Sequence, residues 1–331
     1  MLREIAVEII RACPQRCMHC SSMASPDCTE MLRLATFADI VCDAQILGVR
    51  RICFSGGEPF LHPELDAMVR MVHEAGMDSC VYSCGIVLSG QNSPESLQAC
   101  TLHSMSECLD RIIFNLPSAD EAVFDRITGT HGRFPLLLES IRRAKVAGLT
   151  VEVHYVPMQC NMRDIEGILF FCNSNRIDQI SFLRLVLHGR ADINASEIEA
   201  TPEEVSAFCR RAVLAFRRSE TQVRVGVPIL GETSAAQCQA AFGKLNIRYD
   251  GKVYPCEVFK NGQGHLGRLG TPDSIHEKRL LDIYRDSPYL NAVRECIRCV
   301  KCSDTEPCIG QQMMNTETEG TKARKGLRGV G

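Results

Sequence analysis

Short apolar runs alternate with amphipathic stretches through the first two thirds of the chain, and this alternation admits few folds. Glu4–Ile10, Arg51–Ser55, Asp78–Ser83, Arg111–Leu116, Thr150–Pro157 and Gln179–Val186 each carry the β-branched or alternating pattern of a strand. Between them, Thr36–Leu47, Pro63–Ala75, Ser93–Cys108, Phe134–Ala147 and Asp164–Cys172 space their apolar residues as helices do. Thr36 three residues before Asp39, Pro94 in a first turn, and Gly76 and Gly148 just past two ends fit helix starts and stops. Strands joined through helices imply right-handed crossovers and a mainly parallel sheet. Six such units predict an α/β fold: a partial (β/α)6 barrel, TIM-like but open at one side. Chemistry in such barrels gathers at the C-terminal ends of the strands.

Thr201-Pro202-Glu203-Glu204 opens a further helix running to about Arg218, and Arg224–Ile229 suits another strand. After Gly231 the character changes. Asn246–Tyr249 and Lys252–Tyr254 flank Asp250-Gly251, the signature of a β-hairpin. The expected organisation is a barrel over 1–230, a small cysteine-rich hairpin and helix extension over 231–312, and a polar, glycine-rich tail over 313–331, expected to be disordered.

Composition matters chiefly through cysteine, 19 of 331 residues. Arg3, Glu4, Glu8 and Arg11 interrupt the apolar residues of the N-terminus, so a secretory signal is not expected, nor does any run reach the length of a membrane span. A cytoplasmic, reducing setting follows, in which many cysteines point to metal ligation rather than disulfides. A formal net charge of −3 without a basic stripe does not favour nucleic acid as a partner.

Cys13, Cys17 and Cys20 follow the first strand in the spacing C-x3-C-x2-C, and Gly56-Gly57-Glu58-Pro59 follows the second. Both fall at the reactive end of the predicted barrel. Three thiolates on a four-iron cluster leave one iron without a protein ligand, able to bind a small molecule. The predicted cofactors are a [4Fe-4S] cluster and S-adenosylmethionine (SAM). With Pro14, Gln15, Arg16, Met18 and His19 between the cysteines, this motif and the Gly-Gly-Glu-Pro turn resemble the radical SAM superfamily across residues 4–190. Asp125-Arg126-Ile127-Thr128-Gly129 is similar to the loop after strand four of that family; Phe182–Val186 with Gly189-Arg190-Ala191 is similar to its strand six and the following turn.

The resemblance implies that Gly56, Gly57, Glu58 and Pro59 cradle SAM, with Glu58 facing its ammonium group. It implies His19 near the adenine, and Asn115 and Leu185 against ribose and adenine. One-electron reduction would then cleave SAM to a 5′-deoxyadenosyl radical that removes a hydrogen atom from substrate, the electron coming from a donor such as a flavodoxin or ferredoxin.

Residues 238–308 are similar to the SPASM or twitch extension of that superfamily. Cys238, Gly251 and Cys256 fit C-x12-G-x4-C, and Cys299, Cys302 and Cys308 fit part of its second half; Gln312 stands where a further cysteine would be. With Cys296 the segment offers six thiols, two short of two full clusters, so at least one auxiliary iron-sulfur cluster is expected. Cys238, Cys256, Cys296 and Cys299 are its expected ligands, with Cys302 and Cys308 as substitutes or as part of a second, incompletely ligated cluster. A zinc site is the alternative, since C-x2-C pairs bind zinc.

Cys84 and Cys160 follow strands at the reactive end and are candidates to return a hydrogen atom to a substrate radical; inert packed thiols are the alternative. Glu257, beside Cys256, matches by resemblance an acidic residue that accepts a substrate proton, against a solvated hairpin carboxylate. Glu8, His154, Tyr155 and Arg184 are candidates to line the barrel. The main functional expectation is modification of a peptide or protein by cross-linking, epimerisation or oxidation. No recognition domain is expected before the first strand, so a separate leader-binding protein is a candidate partner. The alternatives are a twitch-type small-molecule oxidoreductase or tetrapyrrole-modifying enzyme, and, last, a non-catalytic iron-sulfur electron carrier.

Overall fold

A computed structural model of the chain describes residues 1–90, 92–226, 229, 238–260, 269–299 and 308. Its strands are β1 Glu4–Ile10, β2 Arg51–Gly56, β3 Asp78–Ser83, β4 Ile86–Leu88, β5 Pro94–Ser96, β6 Arg111–Asn115, β7 Thr150–Tyr155, β8 Gln179–Phe182, β9 Gln222–Val225, β10 Lys244–Ile247 and β11 Val253–Tyr254. The helices are α1 Leu34–Ile46, α2 Leu65–Glu74, α3 Ala99–Met105, α4 Glu121–Thr128, α5 Phe134–Val146, α6 Ile165–Ser174, α7 Arg190–Ile193, α8 Ala195–Ile198, α9 Pro202–Ala215, α10 Leu280–Asp286 and α11 Pro288–Cys299.

One sheet runs in the order β11-β10-β1-β2-β3-β6-β7-β8-β9. Every neighbouring pair in it is parallel except the β10–β11 hairpin. The six strands expected from the sequence form its centre, and the sheet is a partial barrel. Alternation along each strand separates two faces. Ile5, Val7 and Ile9 enter the main core with Phe37, Ile40 and Val69 of the surrounding helices. Ala6, Cys53 and Cys80, in register across β1, β2 and β3, form a separate inner cluster with Ile113 of β6 and its register partner Tyr82. Fully burying one Ile, Val or Leu contributes roughly 1.5–3 kcal/mol, and the outer layer holds dozens of such side chains. Among the described residues no helix is long and apolar enough to cross a membrane.

The hairpin does not stand apart from the barrel. Parallel β10 lies beside β1, pairing Glu4 with Lys244 and Ala6 with Asn246. Gly251 takes φ +78° at the Asp-Gly turn, a conformation that suits glycine. Asp43 of α1 accepts hydrogen bonds from the Arg279 guanidinium and from Leu281 N–H, so a barrel helix caps α10.

Several expectations shift. The helix expected over Ser93–Cys108 begins only at Ala99, because Pro94–Ser96 pairs antiparallel with Ile86–Leu88 in a two-stranded ribbon. Helix α1 starts at Leu34 with Arg33 at its cap position, so Thr36 is inside the helix and caps nothing. Strand β8 ends at Phe182 rather than Val186, which leaves Leu185 beyond the strand. Residues 121–128 are a helix rather than a loop, and Gly129 at φ +65° ends it. Thr201 and Glu204 form the expected capping box of α9. The tail 313–331 lies outside the described residues.

Candidate active site

The three motif cysteines sit on a loop between β1 and α1 that other segments hold by its backbone. Arg16 N–H donates to Thr128 O at 3.0 Å and Met18 N–H to Ile127 O at 2.8 Å, so the last turn of α4 takes the loop on one side. Arg190 takes the other side, donating from Nε to Cys17 O at 2.9 Å and from its terminal nitrogen to Ala24 O at 2.6 Å. Arg190 N–H also donates to Cys20 O at 3.1 Å. Gly189 has φ +58°, and a Cβ there would lie 2.7 Å from Ser21 O and 2.9 Å from Cys20 O. The Gly189-Arg190 turn is therefore a clamp on the cysteine loop, made by residues distant in sequence.

Close approach explains the glycines after β2. A Cβ on Gly56 would lie 2.1 Å from Ile10 O, and one on Gly57 would lie 2.0 Å from Ala12 O. In their absence Gly57 N–H donates to Ile10 O at 2.6 Å and Glu58 N–H to Ala12 O at 2.8 Å. The turn thus fixes the backbone that leads into Cys13. Glu58 is fully buried; its carboxylate accepts from Cys84 N–H at 2.6 Å, Ser83 Oγ at 2.9 Å and Phe60 N–H at 3.2 Å. Burial pushes its carboxyl up to about 7, although these donors pull the other way.

Asn115 lies near enough to His19 to act on its imidazole. Burial, helped by the charge of Arg190, pushes the His19 imidazole down to about 4, so it is neutral at pH 7; Asn115 opposes the shift. His19 Nδ1 is buried and has no hydrogen-bond partner among the described residues. An orphaned ring nitrogen, a glycine cradle and three thiols on one loop fit a cluster with SAM beside it. Among the described residues no three His, Cys, Asp or Glu side chains converge as tightly as a single ion requires. A four-iron cluster binds each thiolate through a different iron and so spreads them wider.

Cys84 packs against Cys13, with Ala24 and Ile86, and its thiol donates to Ile86 O at 3.4 Å. Cys160 lies elsewhere, in a cluster with Met18, Leu185, Ile127 and Met158. Burial raises the pKa of both thiols.

Inside the barrel the sequence reasoning found Glu8 and His154 but missed most of their company. Glu8 accepts from Lys260 Nζ at 2.6 Å and Ser22 Oγ at 2.8 Å, all buried or nearly so. Glu152 is 3 % exposed at its side chain and meets Arg111 at 2.6 Å, His154 at 3.0 Å, Arg224 at 3.6 Å and the Ser181 hydroxyl. Burial works against its charge, but these partners hold its carboxyl at about 2. The signal was available: charged residues at alternate positions of strands in the middle of a sheet. Tyr155 is on the outer face instead, packed with Phe182 and Phe208, its hydroxyl donating to Asn161 O at 2.6 Å.

Glu257 pairs with Lys244 at 3.1 Å, and Lys244 also meets Glu4 at 3.1 Å. Burial disfavours the Glu257 charge, yet Lys244 outweighs it and keeps the carboxyl below its usual range. Cys238, Cys256 and Cys296 are half-buried against the core, and Cys308 lies near enough to Cys256 to raise its pKa further beyond the effect of burial. Cys302 lies outside the described residues, as does the side chain of Cys299.

Comparison with known proteins agrees with this geometry. Residues 7–172 match the Radical SAM superfamily. The chain belongs to that superfamily. It is 26 % identical over 294 residues to a PqqA peptide cyclase of Ruegeria pomeroyi, covering 87 % of this chain and 75 % of that one. It is 24 % identical over 312 residues to a probable GTP 3′,8-cyclase of Methanosarcina mazei, covering 87 % of each. Streptococcus suis SuiB superposes with TM-scores of 0.74 when bound to SAM and 0.72 when bound to precursor peptide SuiA; the identities are 16 % and 15 %, with 93 % and 89 % of this chain covered and 72 % and 67 % of that one. Like these cyclases, this radical SAM protein is an enzyme, and the family implies a [4Fe-4S] cluster and SAM as its cofactors.

Proposed function

We propose that this radical SAM enzyme modifies a peptide substrate held inside the barrel. Cys13, Cys17 and Cys20 would hold a [4Fe-4S] cluster with SAM beside it, and the bound pair would supply the radical chemistry that removes a hydrogen atom from the substrate. The chain's own residues position that reaction: the Gly56-Gly57 turn and the Gly189-Arg190 clamp fix the thiol loop, and neutral His19 with Asn115 offers polar contacts to the nucleoside. Glu257, held by Lys244, is our candidate for the base that would accept a substrate proton.

The observation that carries the peptide reading is the charge balance of the interior. Among the described residues, Lys244 meets Glu4 and Glu257, Lys260 meets Glu8, and half-exposed Arg224 meets Glu152. Such an interior suits a neutral peptide backbone better than a triphosphate, which needs cations with charge to spare. Similarity to the PqqA peptide cyclase supports it, because 294 aligned residues exceed the span 7–172 and must include the C-terminal part. Similarity to the GTP cyclase supports a nucleotide as the second reading.

The C-terminal cysteines complete the proposal as an auxiliary iron-sulfur centre of the SPASM or twitch kind. Cys238, Cys256 and Cys296 would hold it, with Cys299 or Cys308, the latter near Cys256, as fourth ligand. Anaerobically reconstituted, reduced enzyme with SAM and peptides encoded beside the gene should yield 5′-deoxyadenosine and a peptide of altered mass. Turnover of GTP with no change in any peptide refutes the main reading.

A further inference from the structure

The inner face of the barrel differs from one half to the other. On β1, β2 and β3 it is closed, with Ala6, Cys53 and Cys80 buried against one another. From β6 to β9 it is open. Asn115, His154, Ser181 and Arg224 are register partners across these four strands and form one polar row at their C-terminal ends. The Arg224 side chain is 53 % exposed and that of His154 12 %, so solvent reaches this row, which ends at an open edge of the sheet.

The two ring nitrogens of His154 have different settings. Nε2 faces Glu152 at 3.0 Å, and an ionised carboxylate can only accept, so Nε2 carries the proton. Burial lowers the His154 pKa despite Glu152, and the ring is neutral at pH 7. Nδ1 is then left with a bare lone pair. None of the described residues donates to it, and it is not one of the enclosed polar atoms. The imidazole cannot turn freely, because Glu152 holds one edge and the Tyr82 ring lies 5.2 Å away.

Neighbouring strands lie about 4.8 Å apart, and Asn115, next to His154 in the row, acts on His19. A group bound at Nδ1 would thus lie one strand from the residues proposed to meet the SAM nucleoside. A fixed neutral acceptor calls for a neutral donor, and a peptide backbone offers one at nearly every residue. The phosphates of a nucleotide bring only acceptors, although its ribose hydroxyls and guanine N–H groups can donate.

We propose that His154 is a substrate-binding residue whose Nδ1 accepts a hydrogen bond from a backbone N–H of the peptide substrate. The inference rests on the peptide reading above and deepens it, naming a contact that sets which part of the peptide comes beside the nucleoside.

The test uses reconstituted enzyme with SAM, an end-capped random hexapeptide library, and GTP as the competing ligand. Diethyl pyrocarbonate, which acylates neutral imidazoles, should label wild-type His154 at pH 7, and the library should slow that labelling; mass mapping reads both. Two variants at equal iron content then separate the ring nitrogens. His154→Gln places an amide nitrogen where Nε2 was and keeps a donor for Glu152, whereas His154→Asn places an oxygen where Nδ1 was and keeps the acceptor. His154→Gln should retain about tenfold less library peptide than wild type, and His154→Asn should stay within about threefold of it. No labelling of His154 in the absence of library, labelling that the library does not slow, or His154→Gln retaining as much peptide as His154→Asn overturns the role of His154 and leaves the peptide reading standing. Retention of GTP without peptide, or of neither, overturns both.

Discussion

Replacing Gly57 by alanine tests how the turn after β2 governs the cluster site. The new methyl carbon would lie 2.0 Å from Ala12 O, 2.5 Å from Arg11 O and 2.6 Å from the Ala12 carbonyl carbon, all backbone atoms that cannot rotate away. Contacts below about 3 Å are not tolerated, so turn and strand end must separate by about 1 Å. That separation breaks Gly57 N–H to Ile10 O at 2.6 Å and Glu58 N–H to Ala12 O at 2.8 Å. Two lost hydrogen bonds at about 1 kcal/mol each, with about 1–3 kcal/mol for overpacking, sum to about 3–5 kcal/mol. This is a large part of a typical folding free energy, and it falls on the segment that carries Cys13. Gly57→Ala should therefore lower the denaturant midpoint and reduce the iron and sulfide recovered per chain after anaerobic reconstitution. Gly76→Ala is the control: nothing lies within 4 Å of a Cβ there, and only its φ of +73° is unfavourable. It should lose about 1 kcal/mol of stability and keep its full iron content. Wild-type iron content and midpoint in Gly57→Ala would refute the close-approach argument.

Arg190→Leu removes the guanidinium donors from the Cys17 and Ala24 carbonyls and should release iron to a chelator several-fold faster than wild type, whereas Arg126→Leu, which removes an exposed pair with Glu197, should not. Glu152→Gln should cost about 3 kcal/mol at pH 7, from a carboxyl held at about 2 instead of the usual 4.5. Because the folded-state pKa is depressed, that stabilisation is complete above about pH 4.5 and is lost as pH falls toward 2; the unfolding curves of apoprotein and variant should converge across that window, and parallel curves would count against it. Lys260→Met and Glu8→Gln should each lose about 3–5 kcal/mol and the double variant less than their sum; additive losses in denaturant unfolding would show that the 2.6 Å pair is not coupled.

The parallel strands were legible because β-branched runs bounded by glycine and proline leave little else for those residues to be. Ser93–Cys108 was not, because Pro94 suits the first turn of a helix as well as the edge of a short ribbon, and only pairing with Ile86–Leu88 decides between them. Strand β8 looked longer than it is because Leu183, Leu185 and Val186 are apolar, yet the chain must leave the sheet there for Gly189 to reach the cysteine loop. The thiols and the Gly-Gly-Glu-Pro turn announced themselves by spacing. Arg190 did not, since its partners are backbone carbonyls more than 160 residues away, and carbonyls leave no trace in a sequence. The place of β10 beside β1 was likewise silent, since the hairpin signal alone does not imply it.

That neighbour relation bears on how the protein is made. Strand β1 has β2 on one flank and β10 on the other, and β10 follows it in the chain only after β9. Until β10 has been made, β1 keeps one row of backbone groups unpaired, just upstream of the three thiols. Iron loading should accordingly be a late event in the life of the nascent chain, and truncation before residue 244 should leave a protein that aggregates through this raw edge instead of a smaller working barrel.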